Sequence, residues 1–444
     1  MTFKPLSIFA SVGLLAACAT NDPLVTLSSE TSLSGDPVIV RINNAPEIVR
    51  ISAQRAWGWS DKTIYRSTAV FDAPDGIIDL SEQAPVSGSY NGVSPAGMFW
   101  SMSDTETPAS DPVDTEVIEF SFDFGDDGTV DYQSSIRLTK GVTDIDEIAV
   151  GDELPEAFLL KPRDSDKPPV VILVGGSEGG DSAARNIGNK LASRGYAVLG
   201  VPYYSPAYGN APQQFPALPA AFENIPIDKM EIARDWIQSR GDVDGSRIAL
   251  YGASKGAEFV LEAASRIEGF SAVAAIVPSD VIWEGWGPGT VPGEVSSFSW
   301  HGKPLPFVPY RGMAEEFAKF GQPGETVRIR TPHDAGREEN PDRVVDARIR
   351  VERIDEPVFV VGGDEDNTWA SGPMARNIKA TRDAAGLQTT MIVGVMSGHN
   401  LSGDGYSPMD SSRGYAAGAE ESMLRLEAWQ SLLTFLDTHL NEAE

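Results

Sequence analysis

Cysteine is almost missing from this chain: Cys18 is the only one in 444 residues, which excludes an intramolecular disulfide. Histidine is also scarce. The four histidines lie far apart, with no His-x-x-x-His and no cysteine pair, so no metal site is expected. Positive charge is short, with 35 Lys and Arg against 64 Asp and Glu, a net −29. Such a surface repels nucleic acid and anionic membranes, and no nucleic-acid partner is expected. The acidity itself reads as solubility. Glycines crowd residues 175–180, but the Lys-Ser/Thr ending of a phosphate loop is absent, so no nucleotide cofactor is expected. No apolar run is long enough to span a bilayer, and there is no internal repeat or low-complexity tract.

What is present suits a globular protein of two domains. The chain is 41% hydrophobic and 22% charged, enough apolar material for a large core. Residues 1–17 have a short n-region with Lys4 and an apolar stretch over 8–15, too short for a membrane helix but right for a signal peptide. The stretch ends Leu15-Ala16-Ala17-Cys18, which resembles the bacterial lipobox, with Cys18 the residue that carries lipid. Ala19, where an Asp would retain the protein at the inner membrane, points to the outer membrane facing the periplasm. The expectation is a lipid-anchored envelope protein with a signal peptide over 1–17 and a polar tether over 18–30.

From 31 to 150 the sequence reads as β. Segments 38–42 and 117–122 are strand-like, and turn signals recur at Asp36-Pro37, Pro74-Asp75-Gly76, Ser87-Gly88 and Asp126-Asp127-Gly128. Short strands between such turns predict a β-sandwich. From 151 to 444 strands alternate with helices. The apolar runs at 170–174, 197–201, 247–251, 272–277, 358–361 and 389–393 are those of a mostly parallel sheet covered on both faces. Residues 228–240 predict a helix opening on an Asp228-x-x-Glu231 capping box, and 423–440 a final helix. Residues 279–350 break the rhythm. They are rich in Pro, Gly and aromatics, including Trp283, Trp286 and Trp300, and read as an irregular, lid-like insertion.

Two segments match Gly-x-Ser-x-Gly: Gly175-Gly176-Ser177-Glu178-Gly179 and Gly252-Ala253-Ser254-Lys255-Gly256. Each follows a strand and precedes a helix, as a nucleophile elbow must. Their order separates them. The first stands where an early loop donates a backbone N–H to an oxyanion, from Gly176 or Ser177. The second stands where the elbow belongs, making Ser254 the nucleophile and the Lys255 N–H the other oxyanion donor. The Lys255 side chain reads as a solvated charge.

A serine hydroxyl needs a base. His439 lies in the terminal helix as a surface residue, and His301 and His333 lie in the insertion, where exposed polar roles are the default. His399, in Met396-Ser397-Gly398-His399 after the last strand, stands where the α/β-hydrolase chain order requires the base. The orienting carboxylate follows the preceding strand, where Asp364, Glu365 and Asp366 compete and spacing alone does not choose.

With these residues in hand the chain resembles the acyl-CoA thioesterase and bile acid-CoA:amino acid N-acyltransferase family. The likeness runs through Asp36-Pro37-Val38, Ser67-Thr68-Ala69-Val70-Phe71, Gly76-Ile77-Ile78-Asp79-Leu80, Gly88-Ser89-Tyr90-Asn91-Gly92 and Gly97-Met98-Phe99-Trp100-Ser101-Met102. It continues in Gly252-Ala253-Ser254-Lys255-Gly256-Ala257-Glu258, Gly302-Lys303-Pro304-Leu305-Pro306 and Val351-Glu352-Arg353-Ile354. The resemblance implies an α/β-hydrolase fold preceded by a β-sandwich. The family's Gly-x-Asp-Asp-x-x-Trp loop, anchored on Trp369, implies Asp366 as the acid, with Glu365 in place of the first Asp and Asp364 as runner-up. Conjugating members carry cysteine at the elbow, so serine implies transfer to water. The expectation is a serine hydrolase of acyl thioesters with a Ser254–Asp366–His399 triad. Its alternatives are an esterase or acyltransferase on envelope or imported acyl esters, and a non-catalytic envelope binding protein.

Overall fold

The computed structural model describes residues 22–58, 62–141, 144–207, 211–409 and 415–441, so Cys18 and the signal peptide lie outside the described residues. Among the described residues no helix is long and apolar enough to cross a membrane.

The run Pro-Val-Val-Ile-Leu-Val at Pro169–Val174 is buried at every position. An apolar run without alternation can sit only where both faces of a sheet are covered. It is the third of eight strands: β1 (Ile145–Ala149), β2 (Phe158–Pro162), β3 (Pro169–Val174), β4 (Ala197–Gly200), β5 (Asp244–Ala253), β6 (Ala272–Ile276), β7 (Val358–Gly363) and β8 (Thr389–Gly394). Their order in the sheet is β1-β2-β4-β3-β5-β6-β7-β8. The β1–β2 and β2–β4 pairs are antiparallel and the rest parallel.

Parallel neighbours need crossovers, and helices supply them. These are α1 (Ser182–Ala192), α2 (Lys229–Gln238), α3 (Lys255–Ala264) and α4 (Ser371–Ala384), with α5 (Tyr415–Leu440) after the last strand. Alternate residues of one strand face opposite ways. Ile172, Leu250 and Val360 pack with Met230, Phe259 and Ile378 of α2, α3 and α4. Val171, Tyr251 and Phe359 pack on the other side with Leu191 of α1 and Trp429 and Leu436 of α5. This is the α/β-hydrolase arrangement.

In front of it, a three-stranded and a seven-stranded sheet share one core. Ile42 and Ile78 of the smaller sheet meet Ile51, Phe71, Phe120 and Phe122 of the larger. Two features of the sequence reading are corrected. The sandwich begins at Leu24–Leu27, a strand paired antiparallel with Val40–Asn43, so the expected tether to residue 30 is already sheet. Likewise the hydrolase sheet begins at β1, ahead of residue 151.

The helix expected at 228–240 forms as α2, but not through a capping box. Asp228 makes no side-chain cap bond. Its Oδ1 accepts the backbone N–H of His301 at 3.1 Å, which ties the helix start to the insertion. The insertion is more ordered than its composition suggests. It holds helices at Met313–Phe317, Arg330–Glu339 and Pro341–Asp346 and a strand, Phe298–Trp300, paired with Ile225–Pro226. Trp283, Phe298 and Val308 are fully buried and give it an apolar floor.

The segment after His399 crosses to the front domain. Tyr406 and Met409 join the sandwich core, and the Tyr406 hydroxyl accepts the Val38 N–H at 3.0 Å. Asp404 takes the Ser34 hydroxyl from the sandwich and the Lys190 ammonium of α1 at 2.5 Å. Burial pushes the Asp404 carboxyl up, but Lys190 and Ser34 prevail and hold it well below the usual range.

Candidate active site

The first side chain is placed by strain. Strand β5 ends at Ala253 and α3 begins at Lys255, which leaves Ser254 alone to turn the chain, at φ 56° and ψ −123°. A non-glycine residue in that region is costly and persists where surroundings impose it. The Ser254 N–H donates to the Ile276 carbonyl at 2.9 Å. The flanking glycines are required: a Cβ on Gly252 would lie 2.1 Å from the Gly256 carbonyl, and one on Gly256 2.4 Å from the Gly175 carbonyl.

His399 stands on the loop after β8 and bridges the other two residues. Its Nε2 is 2.9 Å from Ser254 Oγ and its Nδ1 2.8 Å from Asp366 Oδ2. With a carboxylate on Nδ1, the proton resides there and Nε2 is left to accept from the serine. Asp366 is fully buried. Its Oδ1 accepts the N–H groups of Thr368 at 2.7 Å and Trp369 at 3.3 Å, which fixes the carboxylate plane. The competing acids lie elsewhere. Asp364 forms a two-point pair with Arg376 at 2.6 and 2.8 Å, and the Glu365 side chain is exposed.

The histidine loop is held from behind. Glu421 of α5 accepts the Gly398 N–H at 2.8 Å and Glu420 the Met396 N–H at 2.6 Å. The Trp369 and His399 rings meet in a T-shaped contact at 5.4 Å, and the Trp369 indole N–H donates to the Val277 carbonyl at 3.1 Å. A cavity of about 180 Å³ opens beside His399, bounded by Glu365, Asn367, Asn400, Met409 and Glu421.

His333 departs from the expected exposed role. It is buried between Trp283, Tyr310 and Trp369, and burial pushes its imidazole down to about 3, so the ring is neutral. His301 is exposed and lies tilted against Trp300, and half-buried His439 packs on Phe435.

Lys255 departs more sharply. Its side chain is 2% exposed rather than solvated, with Nζ 2.7 Å from Glu258 Oε2 and 2.8 Å from Ser297 Oγ. Burial pushes its ammonium down to about 8 against the pull of Glu258. As the first residue of α3, Lys255 has its backbone N–H outside the helical ladder, beside Ser254.

The early glycine loop approaches the serine closely: a Cβ on Gly176 would lie 3.3 Å from Ser254 Cβ. The Tyr203 hydroxyl donates to the Gly175 carbonyl at 2.8 Å and sets the loop's orientation. The Gly176 N–H already has an acceptor, the Glu178 carboxylate at 2.9 Å, while the Ser177 side chain is exposed. An acidic residue two positions on was the signal that sequence reading passed over.

Chemically, an imidazole set between a hydroxyl and a buried carboxylate can take the hydroxyl proton as its oxygen attacks a carbonyl carbon. Among the described residues no group of His, Cys, Asp or Glu could hold a metal ion.

Comparison with known proteins agrees across both domains. Residues 35–124 match the acyl-CoA thioester hydrolase/BAAT N-terminal region and residues 225–442 the BAAT/acyl-CoA thioester hydrolase C terminal. Residues 156–284 also match the dienelactone hydrolase family. Acyl-coenzyme A thioesterase 1 of Mus musculus is 25% identical over 85% of this chain and 87% of its own. Mitochondrial acyl-coenzyme A thioesterase 2 of Rattus norvegicus is 23% identical over 95% of this chain and 90% of its own, and its Homo sapiens counterpart 25% over 83% and 74%. The chain is an enzyme with an α/β-hydrolase fold and belongs to the acyl-CoA thioester hydrolase/BAAT family.

Proposed function

We propose that this protein hydrolyses acyl thioesters through an acyl-enzyme on Ser254. His399 Nε2 takes the Ser254 proton as Oγ attacks the thioester carbon. The tetrahedral oxyanion is held by the Lys255 N–H and one N–H of the 176–177 loop. Collapse breaks the carbon–sulfur bond and His399 returns its proton to the departing thiolate. Water then attacks the Ser254 ester, giving its proton to His399, and the acid is released as Oγ recovers the proton. Asp366 keeps the imidazole in the required tautomer throughout. The observation that carries this reading is His399 bridging Ser254 and Asp366 at 2.9 and 2.8 Å, in a chain whose curated relatives are named acyl-CoA thioesterases. Serine at the elbow favours water over an amine as acyl acceptor.

A second reading keeps the chemistry and changes the substrate to an ester or acylated envelope molecule. The Leu15-Ala16-Ala17-Cys18 motif supports it, because a lipid-anchored periplasmic enzyme meets little CoA. The net charge of −29 also opposes a polyanionic leaving group. In the native host, labelled palmitate is expected on the wild type and absent from Cys18→Ser; labelling of the mutant would refute the anchor.

The deciding experiment sets acyl-CoAs of increasing length against neutral aryl esters and acyl thioesters of small thiols, on purified protein. A kcat/KM that is highest for acyl-CoA supports the first reading, and one highest for neutral esters the second. No turnover, with no labelling by a fluorophosphonate probe, would leave only a binding protein.

A further inference from the structure

The Lys255 side chain takes no part in the proton relay, yet nothing about its placement is incidental. Apart from Glu258, one turn along α3, its partners come from other segments. Nζ lies 2.8 Å from Ser297 Oγ in the insertion, and Ser297 Oγ donates in turn to the Glu284 carbonyl at 2.9 Å. The ammonium faces three rings, Phe298 at 4.9 Å, Phe222 at 5.3 Å and Trp286 at 5.6 Å from their centroids. Glu258, fully buried, uses its second oxygen to accept the Trp283 N–H at 3.0 Å. The pair thus spans three parts of the fold: the start of α3, the connection before α2 that carries Phe222, and the 279–350 insertion.

A buried ion pair is a poor source of stability, since apolar residues of like volume often do as well or better. Its geometry, in contrast, is directional. The residue it immobilises is the one whose backbone N–H stands beside Ser254, and an oxyanion donor is effective only when held in place before charge develops. We propose that the Lys255 side chain, clamped by Glu258, Ser297 and the Phe222–Trp286–Phe298 rings, is a positioning residue that aims its own backbone N–H at the oxyanion and thereby couples the insertion to the oxyanion hole. This rests on the acyl-enzyme reading above.

The test uses Lys255→Met, which keeps length and loses charge, and Ser297→Ala, which loosens the clamp without touching α3. Each is compared with wild type for thermal midpoint, kcat, KM on an activated aryl ester, and affinity for an aryl trifluoromethyl ketone, whose hemiketal oxyanion reports the hole. Loss of a whole oxyanion donor costs about 10²–10³ in kcat, so partial misaiming is expected to cost roughly 10- to 100-fold for Lys255→Met and about fivefold for Ser297→Ala. KM should hold within about twofold, and ketone affinity should fall in step with kcat/KM. A purely structural role would lower the thermal midpoint and the folded fraction and leave the kcat and ketone affinity of the folded enzyme unchanged, which overturns the proposal. Where Lys255→Met does not fold, Ser297→Ala decides alone. Equal hydrolysis by wild type and Ser254→Ala would instead defeat the underlying acyl-enzyme reading and take this proposal with it, an outcome separable from the others by that control.

Discussion

The two Gly-x-Ser-x-Gly segments lie at the C-terminal ends of directly paired parallel strands, β3 and β5, each ahead of a helix, and the structure treats them oppositely. After β5 a single residue, Ser254, separates strand from helix and is forced to φ 56°. After β3, residues 175–181 intervene before α1, and the left-handed positions fall on Gly179 and Gly180, where no side chain resists them. Ser177 is consequently relaxed and exposed. One pattern thus yields a taut elbow or a slack loop according to how much chain lies between strand and helix. The taut one presents a hydroxyl, and the slack one presents backbone.

The largest effect that would break this comparison is on the nucleophile. Ser254→Ala should lower kcat on the order of a million-fold, read by steady-state ester hydrolysis. Near-wild-type activity in that mutant would end the distinction between the segments. Next, Asp366→Asn should cost about 10⁴ in kcat through loss of the tautomer, with its fold retained by circular dichroism. Asp364→Asn should stay within about tenfold, because its carboxylate is spent on exposed Arg376; a larger loss there than at Asp366 would reverse the acid assignment. A smaller effect sharpens the picture of the slack loop. Glu178→Ala frees the Gly176 N–H from an internal anion, and if that N–H serves the oxyanion kcat should rise by up to about tenfold. A tenfold fall would give the carboxylate a role of its own. Smallest of all, Ser177→Ala should stay within about threefold of wild type, since its side chain is exposed.

Much of this fold could be read from the chain because it rests on local pattern. The continuous apolar runs mark β3 through β8, and chain order alone singles out Ser254 and His399, which the fold brings to 2.9 Å. Choosing Asp366 needed the family's Trp-anchored loop, since three neighbouring acids look alike until Arg376 and His399 divide them in space. What escaped was set by distant partners. Lys255 resembles a solvated helix charge until Ser297 and three aromatic rings from elsewhere enclose it. His333 resembles a loop histidine until Trp283 and Trp369 close around it. Asp228 has the letters of a cap, but a competing N–H from His301 claims its carboxylate. In each case local propensity was overridden by a tertiary contact that no short window of sequence contains.

The crossing of residues 401–409 into the sandwich bears on how the molecule is born. A ribosome delivers the front sheets first, yet Tyr406 and Met409, part of their core, emerge only after the whole hydrolase sheet. The early domain therefore waits with a gap in its interior, while the His399 loop waits for Glu420 and Glu421 of α5, made later still. Domains usually mature one after another during synthesis. Here the interior of the first is completed only by residues made after the hydrolase sheet, so a nascent chain that ends before them leaves the front core open.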